Sequence, residues 1–410
     1  MAAPQLTALE IGTTTVKVLM GEVREDGGIM VVGTGECESR GVRKGEIIDF
    51  ELALGAVRRA LEDAEANARR PIGETVYLAA SGGRAESRLH RAGIPVLNEY
   101  DEAGGEISSE DIEHALDVAR KAPLPDNRIR LHTLQQHFEV DGRGGIVNPV
   151  GMLAEDLKVG MLLIHGQRST VENLKRLMQN VPVTCADAAF GGLCSALAVL
   201  TPEQKRAGSI VIDLGGGTTD YVVTNVGLVQ LAGSIAVGGD HVTADICSGL
   251  NLNRRQAETI KKEKGSAVVN RLAGEKNISI PSEGGFSGQV IRSSALHSII
   301  NARMEETFQL IAEQIEENGL SGVLNAGILL TGGGSAMEGV ADLARQVFNA
   351  PAHIGRVQDC TGLATKGEGA RFAAGLGCVR YAASLLGKEP KKQSPLHEWI
   401  SKIWGGSRGR

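Results

Sequence analysis

The segment IVIDLGGGTTDYVV spans residues 210–223 and combines two apolar runs with a glycine-rich turn. An apolar run ends in Asp213, three glycines and two threonines follow, and a second apolar run then begins. Short apolar runs on either side of a glycine turn predict two antiparallel strands. Successive backbone N–H groups in such a turn can converge on an anion, because glycine has no side chain to obstruct them. The segment therefore indicates one half of a phosphate-binding site.

A second copy of this pattern, EIGTTTVKVLMGEV, occupies residues 10–23. Glu10 takes the place of Asp213, and the two acids lie 203 positions apart, close to half the chain. Each hairpin is followed by a third apolar segment, IMVVGTG at 29–35 and LVQLAGS at 228–234. A lone EIGTT is compatible with an ordinary turn. The pair predicts two related halves that grip a phosphate chain from opposite sides.

The acids that end the two first strands, Glu10 and Asp213, are candidate metal ligands. Mg²⁺ prefers oxygen ligands and keeps several of its waters, so a carboxylate can hold it directly or through water. Asp213 is also the candidate catalytic residue, as a group that positions Mg²⁺ or water. Whether Glu10 touches the metal directly is left open by the sequence.

Two further stretches fit a nucleotide site. GILLTGGGS (327–335) is an apolar strand that runs into three glycines ahead of an amphipathic helix, which is a common place for a nucleotide. In AETIKKEKG (257–265), Glu258 and Lys261 share one helical face at a spacing of three. A solvated surface salt bridge is the alternative interpretation of that pair.

Composition excludes several classes of protein. The 410 residues are 42% hydrophobic and carry a net charge of −6, which is typical of a globular protein and not of a general nucleic-acid binder. The six cysteines contain no C-x-x-C pair, so we expect free thiols in a reducing cytosol. The N-terminal segment has no cationic stretch followed by an apolar core, so we expect no signal peptide. The sequence also contains no run of eighteen apolar residues, so we expect no membrane-spanning helix.

Taken together, these motifs resemble the superfamily of actin, the heat-shock chaperones and the sugar kinases. EIGTTTVK is similar to its first phosphate loop, DLGGGTTD to its second, and TGGGS to its adenosine loop. Within the superfamily the chain most resembles the FtsA family of bacterial cell-division proteins, through SRGVRKGEIIDFE (39–51), NPVGM (148–152), GGDHVTADI (238–246) and GILLTGGGSAMEGV (327–340). The resemblance implies an α/β, bilobal actin-like (ribonuclease H-like) ATPase fold with an inserted 1C subdomain.

The resemblance also implies ATP and Mg²⁺ as cofactors and a set of residues that contact them. The implied nucleotide-binding residues are Gly12, Thr13, Thr14, Thr15, Lys17, Gly215, Gly216, Gly217, Thr218, Thr219, Gly239, Glu258, Lys261, Gly332, Gly333, Gly334 and Ser335. Related proteins often have a lysine where Thr15 stands. Lys17 is two positions later, on the same strand face if the strand is regular.

The implied subdomains divide the chain into six parts. A helix at 108–122 is expected inside the inserted subdomain, with Ser109 as its N-cap. A long amphipathic helix from about Ser294 to Asn318 is expected in subdomain 2B. The parts are subdomain 1A (1–84, 165–206 and 369–386), 1C (85–164), 2A (207–242 and 322–368), 2B (243–321), a linker (387–393) and a C-terminal helix (394–405).

The predicted activity is at most slow ATP hydrolysis. The chaperones and actin of this superfamily carry Gln or Glu on the first helix that crosses between the lobes, and this side chain orients the attacking water. Here that helix, FGGLCSALAVL (190–200), has neither, and Asp187 just before it is a weak substitute. Because phosphoryl transfer depends on such positioning, nucleotide is expected to act mainly as a ligand that controls closure of the lobes.

The C-terminal segment SPLHEWISKIWGG (394–406) predicts an amphipathic helix with Ser394 as N-cap and Pro395 at its first position. Residues 387–410 contain six basic and two acidic residues, so the segment is +4 and the rest of the chain −10. Tryptophan with a basic balance favours an anionic membrane surface. The alternative is a helix docked on its own protein or on a partner. The candidate membrane-binding residues are Leu396, Trp399, Ile400, Lys402, Ile403 and Trp404.

The function that the resemblance implies is an ATP-binding protein that polymerises and anchors FtsZ filaments to the cytoplasmic face of the membrane at the division site. The implied partners are the FtsZ C-terminal peptide, with Arg303 as a contact, further copies of the chain, the membrane and other division proteins. A pilus-assembly scaffold of the same fold is the alternative, followed by a small-molecule kinase.

Overall fold

The computed structural model describes residues 4–82, 84–98, 104–269, 276–363 and 366–386. The predicted linker and the candidate membrane-binding residues Leu396, Trp399, Ile400, Lys402, Ile403 and Trp404 lie outside the described residues. Among the described residues, no helix has both the length and the apolar character needed to cross a bilayer. All six cysteines are free thiols.

Twenty-one strands form the sheets. They are β1 (Gln5–Ile11), β2 (Thr15–Val23), β3 (Ile29–Glu38), β4 (Val42–Arg43), β5 (Glu46–Ile47), β6 (Thr75–Ala80), β7 (Glu86–Pro95), β8 (Gly105–Glu106), β9 (Arg128–Val140), β10 (Arg143–Ile146), β11 (Leu153–Ala154), β12 (Asp156–Gln167), β13 (Thr184–Phe190), β14 (Ser209–Leu214), β15 (Thr219–Asn225), β16 (Leu228–Ile235), β17 (Asn277–Ile280), β18 (Gln289–Arg292), β19 (Ile328–Thr331), β20 (Ala352–Ile354) and β21 (Cys360–Thr361), all within the described residues.

Eleven α-helices cover the sheets. In the described part of the chain they are α1 (Phe50–Ala68), α2 (Ser109–Arg120), α3 (Arg168–Met178), α4 (Gly191–Val199), α5 (Pro202–Ala207), α6 (Gly239–Leu250), α7 (Arg254–Lys264), α8 (Ser293–Glu317), α9 (Val340–Phe348), α10 (Lys366–Arg371) and α11 (Ala373–Leu386). Short 3₁₀ helices span Ser321–Val323 and Gly333–Ala336.

The two large sheets repeat one topology. The first has the order β13-β6-β1-β2-β3-β21, and the second has the order β20-β19-β14-β15-β16. In both, the first hairpin is antiparallel and its first strand pairs in parallel with a later strand, β6 or β19. Glu10 pairs with Lys17 and Asp213 with Asp220, which places the two hairpins in the same register. The internal repeat seen in the sequence is thus a repeat of the fold.

A third sheet, in the order β10-β9-β12-β7, lies in the segment between β6 and α3. Its core includes Leu157, Val159 and Met161, all fully buried, and α2 packs against β7 and β12. This sheet also contacts the second lobe, because the Ala232 N–H donates to Ser87 Oγ at 2.8 Å and the Ser234 N–H to the Ala85 carbonyl at 2.8 Å. The insert therefore covers the β16 edge of the second sheet.

The predicted N-cap of α2 was wrong by one residue. Ser108, not Ser109, is the N-cap, and its hydroxyl accepts from the Asp111 N–H at 3.2 Å. The Asp111 carboxylate in turn accepts from the Ser108 N–H at 2.9 Å. This reciprocal capping box satisfies two backbone donors, whereas a cap at Ser109 would have lacked the acidic partner.

Two helices of small residues, α4 and α11, pack together between the large sheets. Every residue of α4 is buried. A Cβ atom on Gly377 would lie 1.7 Å from the Cys194 carbonyl oxygen, so only glycine allows the two helix backbones to approach this closely. The crossing brings the carboxyl ends of β1 and β14, and with them the two glycine loops, to one place.

Candidate nucleotide site

The first glycine loop is closed by a hydrogen bond from the Gly12 N–H to the Thr15 carbonyl at 3.2 Å. Lys17 Nζ lies 3.1 Å from Glu10 Oε1 and donates to the Arg371 carbonyl at 2.9 Å. Lys17 thus reaches the same side of the hairpin as Glu10. In this structure its ammonium group is held by these two acceptors.

The second glycine loop has the same closure, with the Gly215 N–H donating to the Thr218 carbonyl at 3.0 Å. Thr219 begins β15, and its hydroxyl donates to the Val237 carbonyl at 2.9 Å. Because both loops close in the same way, Gly12 and Thr15 are the structural counterparts of Gly215 and Thr218.

The two loops face each other in direct contact. A Cβ atom on Gly216 would lie 1.8 Å from Thr14 Oγ1, and one on Gly217 would lie 2.3 Å from Thr13 Oγ1. Only residues without a side chain permit this approach. Thr13 Oγ1 also accepts from the Gly45 N–H at 3.1 Å, which fixes the tip of the first loop. The tips of the two glycine loops, one from each lobe, are therefore held against each other.

Asp213 lies at the centre of the site and is half-buried. Its Oδ2 accepts a hydrogen bond from the Ser195 hydroxyl on α4. Burial, reinforced by the negative charge of Glu10, raises the pKa of Asp213 to about 6, while Ser195 and Lys17 act in the opposite sense. Ser195 was missed by sequence reasoning, because a serine within a run of small residues looks like helix packing.

Asp220 is a fully buried acid of the same hairpin that the sequence analysis did not select. It occupies the position in the second hairpin that Lys17 holds in the first. Burial, together with the charges of Asp213 and Glu10, raises its pKa to about 7. The acid that ends DLGGGTTD was the available signal. The burial of Asp220 could not be predicted from the sequence, since it depends on α4 crossing above β15.

The predicted adenosine loop lies against the end of β14. Gly332 has φ +80°, and a Cβ atom there would lie 2.3 Å from Asp213 Oδ1. The Gly332 N–H donates to the Ala370 carbonyl at 2.9 Å, and the Ser335 hydroxyl donates to the Gly332 carbonyl at 2.7 Å. Gly334 packs on Leu214, whereas a Cβ atom on Gly333 would meet only open space.

The N-terminus of α6 adjoins the second loop, since the Gly239 N–H donates to the Gly215 carbonyl at 3.0 Å. Lys261 Nζ lies 2.6 Å from Glu258 Oε2, 2.8 Å from Thr243 Oγ1 and 3.1 Å from the Gly239 carbonyl. The Lys261 side chain is only 11% exposed, so the pair is not a solvated surface salt bridge.

Hydrogen bonds hold Glu258 in its ionised form. Burial acts to raise the pKa of Glu258, but bonds from Lys261 and Thr243 outweigh it and lower the pKa to about 2. Thr243 was not selected from the sequence, although it lies four residues after Gly239 on the same helix face. The cluster fixes α7 against α6 beside the second glycine loop.

Two other predicted residues lie elsewhere. Asp187 on β13 accepts a hydrogen bond from Tyr381 Oη at 2.6 Å, which directs its carboxylate to α11. Arg303 on α8 makes a two-pronged contact with Asp245, with its Nε 2.5 Å from Oδ2 and its Nη2 3.1 Å from Oδ1. Neither residue is among the groups gathered at the two glycine loops.

The residues present fit a magnesium nucleotide. Mg²⁺ is usually held by one or two carboxylates together with phosphates and waters, and Glu10 and Asp213 supply two carboxylates at the loops. Across the described residues, no group of three or more His, Cys, Asp or Glu is arranged to hold a metal ion by itself. In a magnesium–nucleotide site, phosphate oxygens and waters would complete the coordination.

The chain matches two family descriptions. "Cell division protein FtsA" matches residues 210–377, and "SHS2 domain inserted in FTSA" matches residues 82–165. The second match covers the inserted sheet and α2.

Solved structures of low sequence identity share the fold. The PilM–PilN type IV pilus biogenesis complex has a TM-score of 0.63 at 16% identity, over 95% of this chain and 100% of that chain. MreB5 of Spiroplasma citri bound to AMPPNP has a TM-score of 0.55 at 16% identity, over 94% and 97%. These likenesses confirm the predicted bilobal actin-like fold.

Curated relatives match nearly the whole chain. The cell division protein FtsA of Neisseria meningitidis is 31% identical over 95% of this chain and 92% of its own length. FtsA of Escherichia coli K12 is 30% identical over 97% and 96%, and FtsA of Borreliella burgdorferi is 31% identical over 98% and 100%. Matches of this extent favour cell division over the pilus-assembly alternative. The chain belongs to the FtsA family of cell division proteins.

Proposed function

We propose that this chain binds ATP with Mg²⁺ between its two glycine loops, polymerises, and anchors FtsZ filaments to the membrane at the division site. The observation that carries the nucleotide site is the direct contact of Gly216 and Gly217 with Thr14 and Thr13. A fold neighbour, MreB5, was solved with ADP and with AMPPNP, which supports a nucleotide here.

In this proposal each lobe supplies one phosphate loop and one acid. Glu10 and Asp213 would hold Mg²⁺, which when bound would offset the negative charge of the phosphates. The Ser195 hydroxyl keeps Asp213 oriented, and Lys17 keeps Glu10 oriented. The Glu258–Lys261 pair and Gly239 flank the base and sugar side, and Gly332 to Ser335 form the adenosine loop. Because α4 carries no Gln or Glu, hydrolysis is slow and nucleotide mainly controls lobe closure.

The test of the nucleotide site is calorimetric titration of the chain with ATP and Mg²⁺. We expect binding that Asp213→Asn weakens at least about tenfold, because one metal ligand and its charge are removed. Asp240→Asn, next to the loop but paired with Arg254 at 2.8 Å, is the control and should bind normally. Equal affinity of all three proteins would remove Asp213 from the site.

We further propose the subdomains 1A (1–84, 165–206, 369–386), 1C (85–164), 2A (207–242, 322–368) and 2B (243–321). The linker 387–393 then joins them to a helix at 394–405 that binds an anionic membrane. Vesicle co-sedimentation of the full chain and of a chain ending at residue 386 tests the anchor. Equal pelleting of the two proteins would contradict it.

The FtsZ C-terminal peptide is proposed to bind subdomain 2B near Arg303. The Arg303 side chain is 26% exposed and is held by Asp245 and Glu306, so its guanidinium is presented in a fixed orientation. Arg303→Glu should weaken peptide binding without changing ATP affinity. Arg255→Glu, 84% exposed on α7, is the matched charge reversal. Unchanged peptide affinity in Arg303→Glu would remove this residue from the interface.

A further inference from the structure

A cavity of about 460 Å³ lies on the far side of the α4–α11 crossing and plays no part in the proposed nucleotide site. Four segments contribute to its wall, namely the β2–β3 turn, the end of α4 with α5, the loop before β21, and α11. Ligand pockets in proteins commonly hold 300–1,000 Å³, so the cavity has the size of a binding site. Its apolar lining residues are Val23, Ile29, Leu197, Leu200, Pro202 and Ala383.

The charges around the cavity are arranged in two layers. Lys205 and Arg380 line it and are largely buried; burial and the charge of Arg380 lower the pKa of Lys205 to about 8. Asp26 and Asp359 also line it but are exposed, so they form its rim. Cations inside favour an aromatic ring, whose face attracts positive charge. Acids at the rim favour a basic segment beside that ring.

The described chain ends at this cavity. Ala383 and Ser384 belong to its wall, and α11 stops at Leu386, whose side chain is 54% exposed. The linker 387–393 has seven residues and spans at most about 25 Å when extended. Residues 394–405 therefore begin within about 25 Å of the end of α11. The linker itself carries three lysines, Lys388, Lys391 and Lys392, whose charge is complementary to that of the rim.

We propose that residues 394–405 of this chain dock into the cavity between α4, α5 and α11, with Trp399 or Trp404 seated against Lys205 and Arg380. This inference rests on the proposed function, in which the same apolar residues bind the membrane. The docked and membrane-bound states then compete for one set of side chains. A ligand that binds only one of two states shifts the population toward that state, so an anionic surface withdraws the segment from the cavity.

The tryptophans make the docking directly measurable, because both tryptophans of the protein, Trp399 and Trp404, lie in this segment. Tryptophan emission and acrylamide quenching of the full chain, without lipid, are compared with those of a peptide of residues 387–410. We expect blue-shifted emission and a quenching constant about threefold lower in the full chain, as when roughly two thirds of the segments are docked.

Ala383→Phe fills the cavity and should return emission and quenching to the values of the free peptide. Asp26→Lys, an exposed substitution at the rim, should shift emission and quenching part of the way toward the values of the free peptide. It serves as the test variant if Ala383→Phe does not fold. The matched control is Ala312→Phe in the groove between α8 and α9, which should leave both values unchanged. The proposal would be overturned if the unaltered chain gave the emission and quenching values of the free peptide. It would also be overturned if the tryptophans stayed protected from acrylamide in both cavity variants.

Two readouts separate this inference from the membrane anchor. If the protection of the tryptophans from acrylamide grows with protein concentration, the segment docks on a second copy of the chain. That result would overturn the proposal of docking within one chain. Pelleting with anionic vesicles should increase in Ala383→Phe, because docking no longer competes. A full chain that never pellets contradicts the anchor, while the lipid-free fluorescence still decides the docking.

Discussion

At the residue scale, the two hairpins differ most at one pair of equivalent positions, Lys17 and Asp220. Lys17 neutralises Glu10 across the first hairpin at 3.1 Å. Asp220 places a second acid in the equivalent hairpin of the second lobe, and burial is the main cause that raises the pKa of both Asp213 and Asp220. The repeat has thus kept its backbone while its charges diverged. We therefore expect a cation bound between the lobes to stabilise the second lobe more than the first.

A substitution at Gly216 tests whether contact between the two glycine loops is needed for nucleotide binding. Gly216→Ala places a methyl group 1.8 Å from Thr14 Oγ1, so one loop must move away. We expect ATP affinity to fall at least about tenfold, since phosphate binding depends on backbone groups in fixed positions. The measurement is calorimetric titration, with circular dichroism to confirm folding.

Gly55→Ala is the control for that substitution, because a Cβ atom there meets nothing within 4 Å. It should bind ATP normally and gain up to about 1 kcal/mol of stability from the helical alanine. If Gly216→Ala also binds normally, the loops do not act together.

The environment of His132 predicts how the free energy of unfolding changes at acidic pH. It is fully buried, its Nε2 accepts from the Phe190 N–H at 2.8 Å, and Tyr381 and Asp187 lie beside it. Burial lowers its pKa to about 4, with Asp187 acting weakly in the opposite sense. The unfolded chain takes up a proton near pH 6.5 and the folded chain does not. Stability from this group is therefore full above pH 6.5 and is lost as the pH falls toward 4, by up to about 3 kcal/mol.

Urea unfolding of the protein and of His132→Gln between pH 4 and 7 measures this contribution. Gln retains an acceptor for the Phe190 N–H but does not titrate in this range. Asp213 and Asp220 act with the opposite sign, because acids with raised pKa values stabilise the folded state less as the pH rises from about 4 to 7. The difference between the two proteins isolates His132. Parallel pH profiles would contradict the prediction.

At the scale of elements, the α4–α11 crossing determines how the lobes meet. Both helices are rich in Gly, Ala, Ser and Cys, so their backbones approach closely and carry the ends of both large sheets with them. Ser195 from α4 reaches Asp213, and Ala370 next to α11 accepts from Gly332. Packing of the crossing and geometry of the site therefore depend on the same contacts.

Gly377→Ala should disrupt this crossing, since the new Cβ atom would lie 1.7 Å from the Cys194 carbonyl oxygen. Overpacking in a well-packed core costs about 1–3 kcal/mol, and a backbone neighbour cannot rotate away, so we expect at least the upper value. The free energy of unfolding in urea measures the loss.

Gly375→Ala lies on the same helix and is the matched control, with its nearest neighbour, Leu19 Cβ, at an ordinary 3.5 Å. It should be neutral or slightly stabilising. Equal losses in the two variants would show that the close approach at Gly377 is not what limits the crossing.

At the scale of the whole molecule, the sequence predicted the repeated lobes and both glycine loops, because these depend on local patterns, whereas the inserted subdomain was implied only by the resemblance to the FtsA family. EIGTTT and DLGGGTTD carry their turn chemistry within eight residues. Ser195, Asp220 and the Ser87–Ala232 contact depend on which elements meet in space, and no local pattern encodes that. The bonding of Lys17 to Arg371, 354 positions away, is of the same kind.

The whole molecule also determines how the proposed anchor works. Five large apolar side chains in 394–405 are worth roughly 1.5–3 kcal/mol each if fully buried, but an interfacial helix buries them only in part. Ordering the backbone costs about 1–2 kcal/mol per residue, so a single segment binds reversibly. A polymer carries many segments, and each additional contact forms within one assembly at high effective concentration.

We therefore expect vesicle binding in ATP to rise more steeply than in proportion to protein concentration. Residues 387–410 fused to a monomeric carrier are the control, and their binding should rise in proportion to concentration, because each copy binds alone. Co-sedimentation with anionic vesicles over a range of protein concentrations compares the two. If both proteins give the same concentration dependence, the anchor acts one chain at a time, and membrane binding is not coupled to assembly.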